Sequence, residues 1–177
     1  SNSAQLRLQW SSASQALEAI PAAQLYTSSA GLAGAYADTF GHANSRTDTT
    51  IDFNWGAGQP ISGAGADNFQ VRWTGYLRPD FSESYQFSAS SDERVRLWIG
   101  DELIIDNWIP HELTQNVGVK QLEAGKWYDF RLEYADVAGH AEIELSWLSE
   151  RQTGGDEFAV ISSDNLRAAK ETPLVAS

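Results

Sequence analysis

Residues 69–77, FQVRWTGYL, decide the fold class, because apolar and polar side chains alternate along this stretch. A period of two places Phe69, Val71, Trp73 and Leu77 on one face of a β-strand. The alternation recurs in further short runs at 85–89, 95–99, 103–105, 117–119, 128–134 and 143–147. Many short alternating strands predict an all-β fold, an antiparallel β-sandwich or barrel of jelly-roll-like character with long surface loops.

Turn-forming residues separate these runs, as at Pro79-Asp80 and Gly100-Asp101. The stretch 37–67 is rich in Gly, Asp, Asn and Thr, which predicts a long surface excursion with at most a short strand at 51–55. Helical signals are few, and they indicate only two short helices, one within 14–25 and one within 164–170.

Charge and composition exclude several classes of function. The 177 residues carry 12 basic and 24 acidic side chains, so the formal net charge is 12 − 24 = −12. Because no run of Lys or Arg offsets this charge, a nucleic-acid partner is not expected. The chain has no cysteine, which excludes disulfides and thiolate metal sites. No apolar run is long enough for membrane insertion.

Two segments of the chain resemble one another. The sequence AQLRLQW at 4–10 is similar to AEIELSW at 141–147, an offset of 137 residues. A period of this size corresponds to a whole domain. We therefore favour the interpretation that residues 1–30 are a linker and the tail of a preceding copy. The alternative is that both segments are similar edge strands of a single sandwich.

Beyond residue 31 the chain resembles the protective-antigen-type PA14 domain. The resemblance lies in GLAGAYADTF at 31–40, in the stretch from DNFQVRWTGYL to LIIDNW at 67–108, in AGKWYDFRLEYAD at 124–136 and in AEIELSW. It covers 31–170, leaving 171–177 as a tail. The resemblance implies a twisted antiparallel β-sandwich that acts as a binding module, often for carbohydrate, within an exported or cell-surface protein such as an adhesin.

The resemblance also implies a calcium site. In lectin-like members of the family, two adjacent aspartates hold a calcium ion that binds sugar hydroxyls, and a later loop completes the site. The matching residues are Asp92 and Glu93, with Asp136 in the partner loop. Glu93 departs from the family pattern by one methylene, although calcium accepts either carboxylate.

The ligand-binding set predicted on the same basis adds side chains that stack on or hydrogen-bond to a sugar ring. It comprises Asp92, Glu93, Asn107, Trp108, His111 and His140. The alternative for Trp108 is a loop anchor packed into the sandwich, and the alternative for the two histidines is an ordinary loop position.

Catalysis is not expected, because the paired acids lie in predicted turns and no nucleophile motif is present. The leading hypothesis is a non-catalytic carbohydrate-binding module that contacts a glycan and neighbouring domains of its parent chain outside the cell. The alternative is a spacer or protein-interaction domain without a calcium or sugar site, which the glutamate at position 93 favours.

Overall fold

The structure is a computed structural model that describes residues 29–168 and the backbone of two N-terminal strands at 9–12 and 15–19. Fourteen strands lie in the described residues: β1 Gln9–Ser12, β2 Gln15–Ala19, β3 Leu32–Asp38, β4 Ala43–Asp48, β5 Asp52–Gly56, β6 Phe69–Leu77, β7 Glu83–Ser91, β8 Arg94–Ile99, β9 Glu102–Asn107, β10 Thr114–Leu122, β11 Tyr128–Asp136, β12 Ala141–Leu148, β13 Ala159–Val160 and β14 Leu166–Ala168.

Two antiparallel sheets form the sandwich. The seven-stranded sheet has the order β4-β3-β6-β11-β8-β9, with β14 also paired to β6. The five-stranded sheet has the order β10-β7-β12-β13, with β5 also paired to β12. β1 and β2 form a separate antiparallel pair. The predicted all-β sandwich is therefore confirmed.

The core consists of the inward phase of each strand, as the alternation predicts. Burial follows period two along β6 and along most of β11, where Arg131 is exposed between the buried Phe130 and Leu132. The largest fully buried side chains come from both sheets: Tyr36, Phe69, Trp73, Tyr85, Phe87 and Tyr134. Apolar side chains from facing sheets exclude water here, which is the main stabilising contribution in such a sandwich.

The stretch 37–67 contains more structure than its composition predicts. β4 is polar apart from Ala43 and pairs with β3 over six residues, and Ile51, Ile61 and Ala64 are buried. At the end of β4, the buried Asp48 accepts hydrogen bonds from Tyr36 Oη (2.6 Å), Trp73 Nε1 (2.8 Å) and Arg46 Nε (2.7 Å). Hydrogen bonds from two neighbouring strands, β3 and β6, therefore hold this strand in place, and Arg46 of β4 itself adds a third.

Both helix predictions are wrong where the structure describes the chain. Within 14–25, residues Gln15–Ala19 form β2. Within 164–170, a single 3-10 turn at Ser163–Asn165 leads into the extended Leu166, which starts β14 and is buried. Pairing with β6 and burial of Leu166 outweigh the local helical preference.

The predicted domain boundaries and the tandem-copy interpretation stay predictions, since residues 1–8 and 169–177 lie outside the described residues. Across the described part of the chain, no helix has the length and hydropathy that a bilayer crossing requires.

Candidate functional site

A buried carboxylate without partners marks one end of the sandwich. Asp136 is the last residue of β11, where it follows the inward phase of Phe130, Leu132 and Tyr134 and pairs with Phe69 of β6. It is only 3% exposed, and neither carboxylate oxygen has a hydrogen-bond partner among the described residues. Buried carboxylates are normally paired or hydrogen-bonded, so this group is an exception that needs an explanation.

Three further carboxylates act on Asp136. Burial raises its pKa most, followed by the charges of Asp67 and Glu93 and then that of Asp92, which together bring the pKa to about 6. The backbone amide of Asn68 acts in the opposite direction, although its geometry falls short of a hydrogen bond. We call these four residues, Asp67, Asp92, Glu93 and Asp136, the carboxylate cluster. Mutual repulsion of this kind is relieved by protonation or by a cation.

The turn between β7 and β8 presents two members of the cluster. Two other segments of the chain hold the backbone of the turn, because Asp92 N–H donates to Glu142 O (3.0 Å) and Glu93 N–H donates to His111 O (2.8 Å). Glu93 has φ of 76°, a left-handed conformation that is uncommon for a residue with a side chain. Its Oε2 atom is buried and lacks a hydrogen-bond partner in the described chain. The turn thus keeps a second carboxylate unsatisfied beside Asp136.

The hydroxyl of Tyr134 faces the same end. It is buried without a hydrogen-bond partner among the described residues. Burial and then the charge of Asp136 raise the pKa of this phenol, with smaller contributions from Asp92 and Glu93. The backbone of Glu142 acts in the opposite direction, although its geometry falls short of a hydrogen bond. A neutral hydroxyl and several carboxylate oxygens are therefore gathered at one place.

The chemistry of the carboxylate cluster suits a hard divalent cation. Calcium takes oxygen ligands in flexible geometry, and it would neutralise the repulsion that raises the pKa of Asp136. Among the described residues, however, no group of three or more Asp, Glu or His side chains is already arranged to hold a metal ion. The orphaned oxygens of Asp136 and Glu93 fit calcium as donors, and their side chains would have to converge further on binding.

The other predicted ligand residues are spread around this end rather than joined in one pocket. The backbone carbonyl of His111 supports Glu93, while its Nδ1 contacts Glu112 O at 2.9 Å. His140 is exposed and contacts Glu142 Oε2 at 3.2 Å. Asn107 donates to Asn116 Oδ1 at 2.9 Å. Trp108 lies on the outer face of the seven-stranded sheet, in contact with Arg96.

Asp67 and Tyr134 were missed by reasoning from the sequence. Asp67 lies two residues before the start of β6, and the antiparallel pairing of β6 with β11 brings the start of one strand to the end of the other. The register Asp136↔Phe69 therefore places Asp67 near the cluster. Its position before a strong alternating strand was the available signal. Tyr134 gave no such signal, because its position in the alternation is that of an ordinary core-facing residue.

Comparison with known proteins defines the class. The PA14 domain family matches residues 23–157, and the chain belongs to this family. It is 37% identical to the anti-sigma-I factor RsgI3 of Acetivibrio thermocellus over 93% of this chain and 27% of that protein. An anti-sigma factor domain-containing protein from Clostridium clariflavum has a similar structure, with a TM-score of 0.73 and 37% identity over 83% of this chain and 50% of that chain.

A more distant similarity links the fold to an adhesin. The epithelial adhesin 6 A domain of Candida glabrata, solved with the disaccharide Galb1-3GlcNAc, gives a TM-score of 0.66 at 14% identity, covering 86% of this chain and 95% of that one. At this identity the similarity concerns the fold. The chain spans half or less of the length of the anti-sigma factor relatives.

Proposed function

We propose that this chain is a non-catalytic carbohydrate-binding module whose carboxylate cluster binds calcium together with hydroxyl groups of a glycan. The observation that carries the proposal is the Asp136 carboxylate, 3% exposed and with neither oxygen bonded within the described chain. Such a group is costly to retain unless a ligand satisfies it.

The residues that would hold the ion are Asp92, Glu93 and Asp136, with Asp67 as an additional acid. Calcium takes about six to eight oxygen ligands, so protein carboxylates leave positions that vicinal sugar hydroxyls can occupy. When bound, the ion supplies positive charge and selects hydroxyl pairs of suitable orientation. His111 and His140 lie on the two segments that hold the Asp92–Glu93 turn, and we propose that these segments border the bound sugar.

The relatives indicate which kind of parent protein to consider. Because both relatives at 37% identity are named for anti-sigma factors, we propose that the module belongs to a regulatory protein that detects an extracellular or cell-surface glycan. An adhesin-type parent is the alternative, and the saccharide-bound Candida glabrata domain supports a glycan site on this fold.

A second candidate is a spacer or protein-interaction domain without calcium. The lack of a preformed metal-binding arrangement among the described residues favours it. The two candidates differ in their response to calcium, which makes them separable in one experiment.

The test is calorimetric titration of calcium into chelator-treated protein, together with thermal denaturation with and without calcium. Wild type is expected to give a binding heat and a raised Tm. At a free calcium concentration of 100 times Kd, the free energy of unfolding should rise by about 2.7 kcal/mol. Asp136→Asn is expected to lose both. Asp129→Asn is the matched control, because Asp129 is an exposed aspartate in the outward phase of the same strand. A glycan array in calcium and in chelator then identifies the sugar.

Absence of heat and of stabilisation in wild type would refute the calcium site. Equal sugar binding in calcium and in chelator would refute the proposed bridging role of the ion. Loss of both responses in Asp129→Asn would show that the effect is general charge and not the cluster.

A further inference from the structure

A groove of about 340 Å³ crosses the outer face of the seven-stranded sheet, away from the core-facing side chain of Asp136. Its lining includes Ala35, Ala37, Ala43, Asn44, Gln70 and Trp108. No member of the carboxylate cluster lines it. The volume lies at the low end of the range for small-ligand sites, about 300–1,000 Å³.

The depth of the groove follows from small side chains on the outward phase of β3 and β4. Ala35 lies opposite Arg72 of β6, and Ala37 lies between Gln70 on one side and Ala43 on the other. Methyl groups beside longer side chains leave a depression at this place on the sheet. The side chains that form the depression point away from the core, so the core packing of β3 does not require them to be small.

Trp108 forms the opposite wall. It follows β9 and contacts Arg96, whose guanidinium lies 4.9 Å from the centre of the indole ring. Arg96 is itself held by Asp106, with Nε to Oδ1 at 2.7 Å. A cation on one face of the indole restricts its motion, and the opposite face and edge remain for a ligand in the groove.

The groove is locally neutral in a strongly acidic protein. Arg72 pairs with Glu133 at 3.0 Å, and Arg96 pairs with Asp106. By contrast, Asn44, Ser45 and Gln70 are uncharged and exposed, which leaves their amide and hydroxyl groups accessible to a ligand. An aromatic wall, an apolar floor and uncharged hydrogen-bonding groups match a ring that has an apolar face and hydroxyls at its edge.

We propose that this groove is a second saccharide site, selective for uncharged sugar rings and independent of any cation. Trp108 stacks on a ring, while Asn44 and Gln70 hydrogen-bond to its hydroxyls. The inference extends the proposed carbohydrate function to a separate surface and does not require calcium at the cluster. Two weak sites on one module would strengthen binding to a polymer through multivalency.

The experiment is calorimetric titration of the chain, in chelator, with cellohexaose, mannohexaose and xylohexaose, and with hexagalacturonate as a charged probe. At least one neutral hexasaccharide is expected to bind. Trp108→Ala is expected to weaken that binding about tenfold or more. The double variant Asn44→Ala with Gln70→Ala is expected to weaken it several-fold. Trp127→Ala, at an exposed tryptophan outside the groove, is the matched control and should bind as wild type.

The neutral-sugar site is refuted if no neutral hexasaccharide binds in chelator, if binding survives Trp108→Ala unchanged, or if only hexagalacturonate binds. Circular dichroism checks that each variant folds. The exposed Asn44 and Gln70 variant carries the test alone if Trp108→Ala does not fold. Asp136→Asn should leave this binding unchanged, so failure of the calcium site and failure of the groove give different results.

Discussion

Two buried aspartates in the sandwich, Asp48 and Asp136, differ in what surrounds them. Asp48 is 6% exposed and receives hydrogen bonds from Tyr36, Trp73 and Arg46. Asp136 is 3% exposed, has no such donor among the described residues, and faces other carboxylates. A buried charge that the protein satisfies contributes to structure. A buried carboxylate that the protein leaves unsatisfied needs an explanation, and a bound cation is the one we propose for Asp136.

The Asp48 site is also closed in space. The Arg46 guanidinium stacks on the Tyr36 ring at 4.4 Å, and a Cβ at position 34 would collide with Asp48 Oδ2. Burial and then the hydrogen bond to Asp48 raise the pKa of Tyr36, so the phenol stays neutral and donates its proton. Glycine at 34 leaves the space that this carboxylate occupies.

The largest effect is expected from removing the satisfied carboxylate. Asp48→Ala leaves Tyr36, Trp73 and Arg46 without their acceptor, and should lower the free energy of unfolding by about 3 kcal/mol. Urea denaturation measures this. The control is Asp52→Ala, an exposed aspartate four residues later, with an expected effect below about 0.5 kcal/mol. Equal effects of the two variants would contradict a structural role for Asp48.

Removing the charge of Asp136 is expected to raise the free energy of unfolding, whereas removing the Asp48 carboxylate lowers it. Its pKa in the folded protein is about 6, against an ordinary value of 3.8. The folded protein therefore keeps a proton that the unfolded chain releases over this interval. The free energy of unfolding should fall as pH rises from about 4 to about 6, and the loss is complete above that window.

Asp136→Asn should remove that pH-dependent loss. Without calcium at pH 7 it should raise the free energy of unfolding by on the order of 2 kcal/mol. Denaturation curves of wild type, Asp136→Asn and Asp129→Asn between pH 4 and pH 7 test this in chelator. A destabilised Asp136→Asn at pH 7 would mean that the native carboxylate is satisfied after all.

The smallest effect concerns the backbone of the turn. Glu93→Gly relieves the left-handed strain at φ of 76° and removes a buried carboxylate oxygen. We expect a change in stability of no more than about 1 kcal/mol, in the stabilising direction, together with weaker calcium binding. Thermal denaturation and calorimetry measure the two separately. Unchanged calcium affinity would remove Glu93 from the proposed site.

Three of the four members of the carboxylate cluster were predictable from the sequence, but the burial of Asp136 and its lack of hydrogen bonds were not. Asp92, Glu93 and Asp136 were recognisable from the family resemblance, whereas Asp67 follows only from the β6–β11 register. That Asp136 is buried and unsatisfied depends on the closure of two sheets over the end of β11. The groove at Trp108 likewise depends on β3 and β4 lying side by side, and the polar β4 was not predicted as a strand.

The alternation of apolar and polar residues, by itself, determined that this chain forms strands and which side chain of each strand faces the core. Period two is a local property, since successive side chains of an extended backbone point to opposite faces. Tertiary structure alone decided which polar groups found partners. Asp48 and Asp136 are similar in local chemistry, and only the strands brought against them, carrying donors in one case and acids in the other, make them different.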